Sequence, residues 1–513
     1  MKLFFPLLTL IILSLNSSGQ HLPLWVSYYS GGSDLYYYPS DMVLDNSGNI
    51  FVTTSVNDTA RTTELLVKFS PAGSILWDFH DTDLNFNTHL AITKSENIYL
   101  VGEALGDIRT QLLDQNGSIL WINNFDNGCN RLDDPFSICT DENSNIYITG
   151  QSGGCTPPNV YDEIVSLKYD SIGNLKWANF SHGTHNLARG LAIGADSFEN
   201  VYITGFNADT PITESNFIIK YDSQGNTQWS HKIPNAGIGE SDLLSIFHDS
   251  LIILGGNRID TTGFYRPYSA AYDSSGNLRW FTPFDTNSYH SSKSMIVDES
   301  GNSYFTGYYM CRVIKTDNSG NFVWNKLYNP LLGGNVYTFI TQDNHGYFYL
   351  GMNLSDSLFH SKLFIYQFDS SGIVTDSFSY TFPDGYGGDI RSLKYDPLGA
   401  LIASGNAAIA GNGGIFAIKF ELTTNLNSVI RENSSLYFSP NPFRSSTTLS
   451  LIANLNAKYH QLQIFDYTGR LIRTEPFEST PYSLNRCDLT SGIYIVRLTD
   501  SNGIIRTGKL VCE

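Results

Sequence analysis

NVYITGFNADTPITESNFIIKYDSQGNTQW, residues Asn200 to Trp229, is the unit from which most of this chain is written. It opens with a strand-like run closed by Gly205, passes through a polar loop, resumes as a second alternating run, turns at Asp222 to Gly225 and ends in a short run at Trp229. Asp, two small or polar residues and then Gly suit a type I turn whose last residue takes the left-handed conformation, which Gly adopts without steric cost. The turn returns at Ser70 to Gly73, Asp114 to Gly117, Asp170 to Gly173, Asp273 to Gly276 and Asp317 to Gly320. Four residues after each Gly stands a Trp, giving Trp77, Trp121, Trp177, Trp229, Trp280 and Trp324. A further turn, Asp369 to Gly372, has Asp376 in the Trp position.

Counting the first half of the unit instead gives eight copies, with second strands beginning near Ile50, Ile98, Ile146, Val201, Leu251, Ser303, Tyr347 and Leu401. The eighth runs through GIFAIKFEL (Gly414 to Leu422) and stops without its Trp strand, while LPLWVSYYS around Trp25 is a Trp strand without the rest. Joining the two closes a circle of four-stranded sheets, which buries their apolar faces and leaves only short edges. Successive Trp spacings from Trp25 to Trp324 of 52, 44, 56, 52, 51 and 44 residues suit one such sheet per repeat. The expected fold is all-β, an eight-bladed β-propeller over residues 20–424, with seven blades as the alternative if one degenerate copy lies outside the ring. The seven Trp, including Trp25, are expected to pack between blades.

Composition agrees. Aromatic residues are 13% and charged residues only 16%, with 44 Gly, which favours pleated, half-buried surfaces. A formal charge of −18 argues against nucleic acid and anionic lipid as partners. Residues 1–19 read as a signal peptide: Lys2, an apolar run too short to span a bilayer, then Ser17, Ser18 and Gly19, with cleavage expected between Gly19 and Gln20. No later segment is apolar for long enough to cross a membrane, so a secreted or surface-exposed monomer is expected.

Asp45, Gly48 and Asn49 with FVTTS, and Asp141 and Asn145 with IYITG followed by LKYDSIGNLKW, resemble the bacterial SBBP β-propeller repeat over roughly residues 40–422. The Trp four residues after Gly also resembles the docking motif of eight-bladed quinoprotein dehydrogenases. No adjacent Cys pair or matching calcium-ligand set accompanies it, so that resemblance implies packing and not chemistry.

Turns of the Asp-Gly kind join strands one to two and three to four of each repeat, so they share one face. Loops of varied length, Val56–Thr63, Gln151–Glu163, Ser181–Ala188, Phe206–Ser215 and Asn257–Arg266, occupy the other, where binding sites on a rigid scaffold usually sit. Asp126, Asp133, Asp134, Asp162 and Glu163 gather there. No cofactor is expected, calcium at these acids being the single exception weighed. His182 and His185 lack further metal ligands nearby. Tyr161, Phe264, Tyr265 and Tyr268 are candidates for stacking on sugar rings, with core packing as the default. No serine elbow, phosphate loop or zinc-protease helix occurs, and no catalytic residue is assigned. Cys129 and Cys155 are expected to form one disulfide and Cys487 with Cys512 another, while Cys139 and Cys311 read as buried thiols.

The repeat ends at a linker, residues 425–435. The tail, 436–513, has short alternating strands suited to a small Ig-like β-sandwich. Its Pro-Asn-Pro-Phe start at 440–443, the Asp466-Tyr-Thr-Gly469-Arg470 turn, the Ser491–Tyr494 run and the terminal Lys509-Leu-Val resemble the type A C-terminal sorting domain of the type IX secretion system. That resemblance implies the secretion machinery as a partner and delivery to the cell surface or beyond. The expected function is noncatalytic binding of an extracellular protein or glycan. An enzyme with its site in the central channel is the alternative, and a structural adhesion or surface-layer role is a third.

Overall fold

The structure is a computed structural model that describes residues 23–422 and 436–512 except for short stretches, among them 31–34, 58–61, 155–161, 183–186, 285–290, 329–336, 356–360, 440–442 and 452–458. The expected signal peptide and the linker fall outside the described residues. The chain divides into two compact units, Met1–Glu421 and Leu422–Glu513.

Among its described residues the first unit holds eight four-stranded antiparallel sheets. Sheet 1 is Tyr36–Leu44, Ile50–Asn57, Thr62–Phe69 and Ile75–Asp81. Sheets 2 to 7 repeat this order within residues 89–125, 133–182, 188–232, 243–283, 291–327 and 338–381. Sheet 8 takes Tyr386–Tyr395, Ala400–Ile409 and Asn412–Glu421 and completes itself with Trp25–Tyr29, which pairs antiparallel to the last of these with Trp25 opposite Lys419. The first strand of each sheet abuts the first strand of the next, and that of sheet 8 returns to sheet 1. The unit is thus a closed arrangement of four-stranded sheets, the architecture of a β-propeller.

Apolar faces of neighbouring sheets make the core. Phe51 and Leu66 of sheet 1 pack on Ile98, Leu100 and Leu113 of sheet 2. Val52, Val67 and Phe69 on the other face pack on Ile402, Ile415 and Ala417 of sheet 8, with Trp25 at the margin. Phe378 and Phe420 join sheets 7 and 8 with ring centroids 5.1 Å apart.

The recurrent residues have recurrent partners. In the turn at Asp222, Oδ1 accepts the N–H groups of Gln224 and Asn226 at 3.0 and 2.9 Å, and Gly225 takes the left-handed conformation at φ +85°. In the first turns, Asp141 Oδ2 also accepts the Asn145 amide and the Tyr147 hydroxyl, at 2.7 and 2.8 Å, and Asp196 holds Asn200 and Tyr202 the same way. Each indole leans on the next sheet. Trp77 Nε1 donates to Gln115 O at 3.0 Å, Trp121 to Ser171 O at 3.2 Å, Trp177 to Ser223 O at 3.3 Å, Trp229 to Ser274 O at 3.2 Å and Trp324 to Ser370 O at 3.3 Å. Lys68, Lys168, Lys220 and Lys315 donate to the same carbonyls. Trp280 differs: its Nε1 meets Ser269 Oγ of its own sheet at 3.4 Å, while the ring still lies against Gly320 of sheet 6.

The second unit has a three-stranded sheet, Leu436–Ser439, Ser446–Leu451 and Tyr482–Asn485, and a four-stranded sheet, Leu471–Pro476, Tyr459–Asp466, Gly492–Asp500 and Ile505–Cys512. Leu449 and Leu484 of one and Leu462, Ile464, Val496, Leu498 and Leu510 of the other share one core, so the two sheets form a sandwich. Cys512 corrects an expectation. It is a free, buried thiol 3.8 Å from Leu489 O, because its side chain points into the sandwich core, and so it is not paired with Cys487, which lies outside the described residues.

Candidate functional site

Among the described residues, cavities open on opposite faces of the first unit. On the face of the one-to-two turns, a cavity of about 520 Å³ is lined by the turns of sheets 1 to 5, from Asp45 to Asp249. The turns are stitched to one another. Asn46 N–H donates to Glu96 Oε1 at 3.0 Å, Lys94 pairs with Glu142 at 2.7 Å, Asn143 Nδ2 donates to Glu199 Oε1 at 2.9 Å, and Ser197 donates through N–H and hydroxyl to Asp249. Glu96, Ser144, Glu199 and Asp249 take left-handed φ values of 65°, 60°, 61° and 52°, whereas the corresponding turns of sheets 1, 6, 7 and 8 carry Gly48, Gly301, Gly346 and Gly399. Glu96, Glu199 and Asp249 among these, together with Glu142, hold neighbouring sheets together, which commits their carboxylates to structure.

The other cavity, about 590 Å³, lies on the loop-bearing face and is lined by Tyr38, Pro39 and Ser40 of the first strand of sheet 1, Ser55 and Asn57 of its second, and Thr88 and His89 of sheet 2. A bulge between Pro39 and Asp41 gives the first strand its extra residue there, a device that re-aims a side chain beside a site. The Tyr38 side chain is 53% exposed. Behind the wall sits Glu64, fully buried. Its Oε1 accepts the Thr53 and Thr88 hydroxyls, each at 2.6 Å, and its Oε2 the Ser55 hydroxyl at 2.9 Å. Burial pushes the Glu64 carboxyl up to about 7, against the lowering effect of those hydroxyls. Burial likewise holds the His89 imidazole below its ordinary value, opposed by the Asp41 charge and a hydrogen bond to the Pro135 backbone, so it is neutral at pH 7. Sequence reading missed Glu64, Thr88 and His89. The available signal was a carboxylate inside the apolar strand TTELLVKF, visible only once that strand is placed in a core.

The residues singled out in the sequence are dispersed. Asp126 and Asp133 come together, joined by Asp107, which the sequence did not suggest. Asp162 instead faces Arg131 at 3.5 Å, and Asp134 and Glu163 are buried. Tyr268 is a core residue, Phe264 lies under the Arg266 guanidinium at 5.5 Å, and Tyr265 is exposed. His182 is described only as the strand partner of Glu163, and Tyr161 and His185 lie outside the described residues. Cys129 is disulfide-bonded, and its expected partner Cys155 is outside the described residues. Cys139 and Cys311 are free.

Fold and tail together define an exported protein of the propeller class. Residues 436–513 match the family described as "Secretion system C-terminal sorting domain". This domain implies contact with the type IX secretion system and export to the cell surface or extracellular space. No helix among the described residues is long and apolar enough to cross a membrane. The regulatory protein FlaEY of Caulobacter vibrioides is 25% identical over 138 residues, 22% of this chain and 14% of that protein's length. Among solved structures, a catalytically inactive virginiamycin B lyase from Staphylococcus aureus with quinupristin aligns at 12% identity and a TM-score of 0.41, covering 64% of this chain and 96% of that one. A protein of unknown function from Bacteroides caccae aligns at 11% identity and a TM-score of 0.33, covering 53% and 92%. At this level of likeness nothing of the neighbours' ligands or chemistry carries over.

Proposed function

We propose that the chain is a noncatalytic, eight-bladed propeller of SBBP-type repeats, delivered outside the cell by its signal peptide and sorting domain, that binds an extracellular glycan in the cavity between sheets 1 and 2. The observation that supports this reading is the composition of the wall. An exposed tyrosine ring stands beside the Asn57 amide and a neutral imidazole, while the Ser55 and Thr88 hydroxyl protons are given to Glu64, and the pairing of ring and polar groups suits stacking on a sugar ring and hydrogen bonding to its hydroxyls. The buried Glu64 carboxyl behind the wall is occupied by hydroxyl donors. The ring of eight first strands and the Trp25 closure support the eight-blade count over seven. A glycan array probed with the mature protein is expected to give hits that Tyr38→Ala and Asn57→Ala abolish; hits that survive both changes remove the cavity from the reading.

A second reading, an enzyme, is favoured by Glu64, since a carboxyl pushed to about 7 beside a cavity is how general acids are often prepared. Hydrolase substrates turned over by the wild type and not by Glu64→Gln would replace the noncatalytic assignment.

A further inference from the structure

On the loop-bearing face, sheet 2 joins its second and third strands by a two-residue connection, Leu105 and Gly106, with φ +57° and +99°. This tight hairpin sets Asp107 at the very start of Asp107–Leu113. Asp126 follows the last strand of the same sheet and Asp133 begins the first strand of sheet 3. One carboxylate oxygen from each lies within 4.8 Å of the others.

The arrangement is built rather than incidental. Asp133 N–H donates to Gly106 O at 2.7 Å, which fixes the strand of sheet 3 to the hairpin. Asn127 N–H donates to Asp133 Oδ2 at 3.0 Å, Asp126 Oδ1 accepts Gly128 N–H at 2.7 Å, and the intervening loop is held by the Cys129 disulfide. Asp133 is fully buried, and among the described residues its Oδ1 has no hydrogen-bond partner, an arrangement whose desolvation needs a compensating charge or donor. Nearby cations are committed elsewhere: Arg109 to Asp81 and Asp83, Arg131 to Asp162. Glu103 is turned to Gly106 N–H and the Asn85 amide. Burial and the charges of Asp126 and Glu103 hold Asp107 above the ordinary carboxylate range, and burial with Asp107 and Asp126 does the same to Asp133 against hydrogen bonds from Ser152 and Asn127. Among the described residues nothing lies within 4 Å of where a Cβ on Gly106 or Gly128 would stand, so the approach is open.

We propose that Asp107, Asp126 and Asp133 form a divalent-cation site that takes calcium and clamps sheet 2 to sheet 3. The donors are all oxygen, which selects a hard cation over zinc or copper. Calcium accepts the irregular six to eight oxygens that carboxylates and water supply, whereas magnesium demands near-octahedral geometry and dehydrates reluctantly. A site of this charge and exposure belongs with extracellular modules that bind calcium at about 10⁻⁴–10⁻³ M. The inference is independent of the glycan cavity, whose lining it does not share.

The test uses the full mature protein, stripped with a chelator and titrated with calcium chloride by calorimetry, with thermal melts in parallel. The wild type is expected to bind with a stoichiometry of one and to gain roughly 2–4 °C in Tm near 10 mM calcium. Asp107→Asn and Asp133→Asn lose both responses, and without metal Asp133→Asn melts no lower than the wild type because a like charge is gone. Asp126→Asn, on the exposed member, reports the same loss if a buried substitution fails to fold, and Glu142→Gln on the opposite face keeps the full response. Absence of heat and of a Tm shift in the wild type at 10 mM calcium, or an undiminished response in the Asp107 and Asp133 variants, overturns the site. An equal response to magnesium overturns its assignment to calcium.

Discussion

Trp25 and Gly73 are in contact across the closure of the ring: the indole lies 2.6 Å from where a Cβ on Gly73 would stand, and its Nε1 donates to Pro71 O at 2.9 Å. Trp25 comes from the beginning of the described chain yet belongs to sheet 8, so this contact ties sheet 8 to sheet 1. Ser27 adds a hydroxyl donated to Gly73 O at 2.7 Å.

Trp25→Ala is expected to destabilise the first unit by about 3 kcal/mol, the lower end of the range for truncating a packed aromatic, and to open the ring to proteolysis near both partner strands. Chemical denaturation and limited proteolysis read this. An unchanged unfolding midpoint would show that closure does not rest on this strand.

Gly73→Ala and Gly106→Ala separate two causes of strain. Both residues are left-handed, at φ +85° and +99°, but only Gly73 faces an indole, whereas Gly106 faces open space. Gly106→Ala is expected to cost about 1–2 kcal/mol from backbone conformation alone, and Gly73→Ala measurably more. Equal costs in urea titrations would mean that the indole simply moves aside.

Glu64 gives stability a pH dependence of defined sign. Its folded value of about 7 lies above the ordinary 4.5, so the folded state holds a proton that the unfolded state has released. The contribution is full below pH 4.5 and is lost as pH rises through 7, amounting to about 3 kcal/mol. Urea unfolding of Glu64→Gln between pH 4 and 8 is expected to lack that decline; a slope matching the wild type would place its origin elsewhere.

Removing residues 436–513 is expected to leave the propeller folded but retained in the periplasm, since these residues are what the sorting family matches. Fractionation with surface protease digestion checks the outcome, and surface delivery of the truncated chain would contradict the role given to the tail.

The Cys487–Cys512 expectation shows where reading by position stops. Both are in the tail and an oxidising compartment favours pairing, but Cys512 sits at the end of a strand whose inward face makes the core, and burial there needs no bridge. The Asp126–Glu163 acids teach the same lesson. Grouped by chain proximity they read as one cluster, yet the sheets send Asp162 to Arg131 and bring Asp107 to Asp133.

What the sequence by itself determined was the repeating unit, the turns and the tail, because an Asp that caps its own turn, a Gly that turns left-handed and strands of period two are all decided within a few residues. Closure was legible too, since an orphan Trp strand and an unfinished copy have one economical solution. Only the tertiary structure decided the cavity and the cation cluster. Tyr38 and Thr88 line one cavity, and Asp107 meets Asp133, across sheet boundaries, and such meetings of different copies of a repeat leave no periodic trace along the chain.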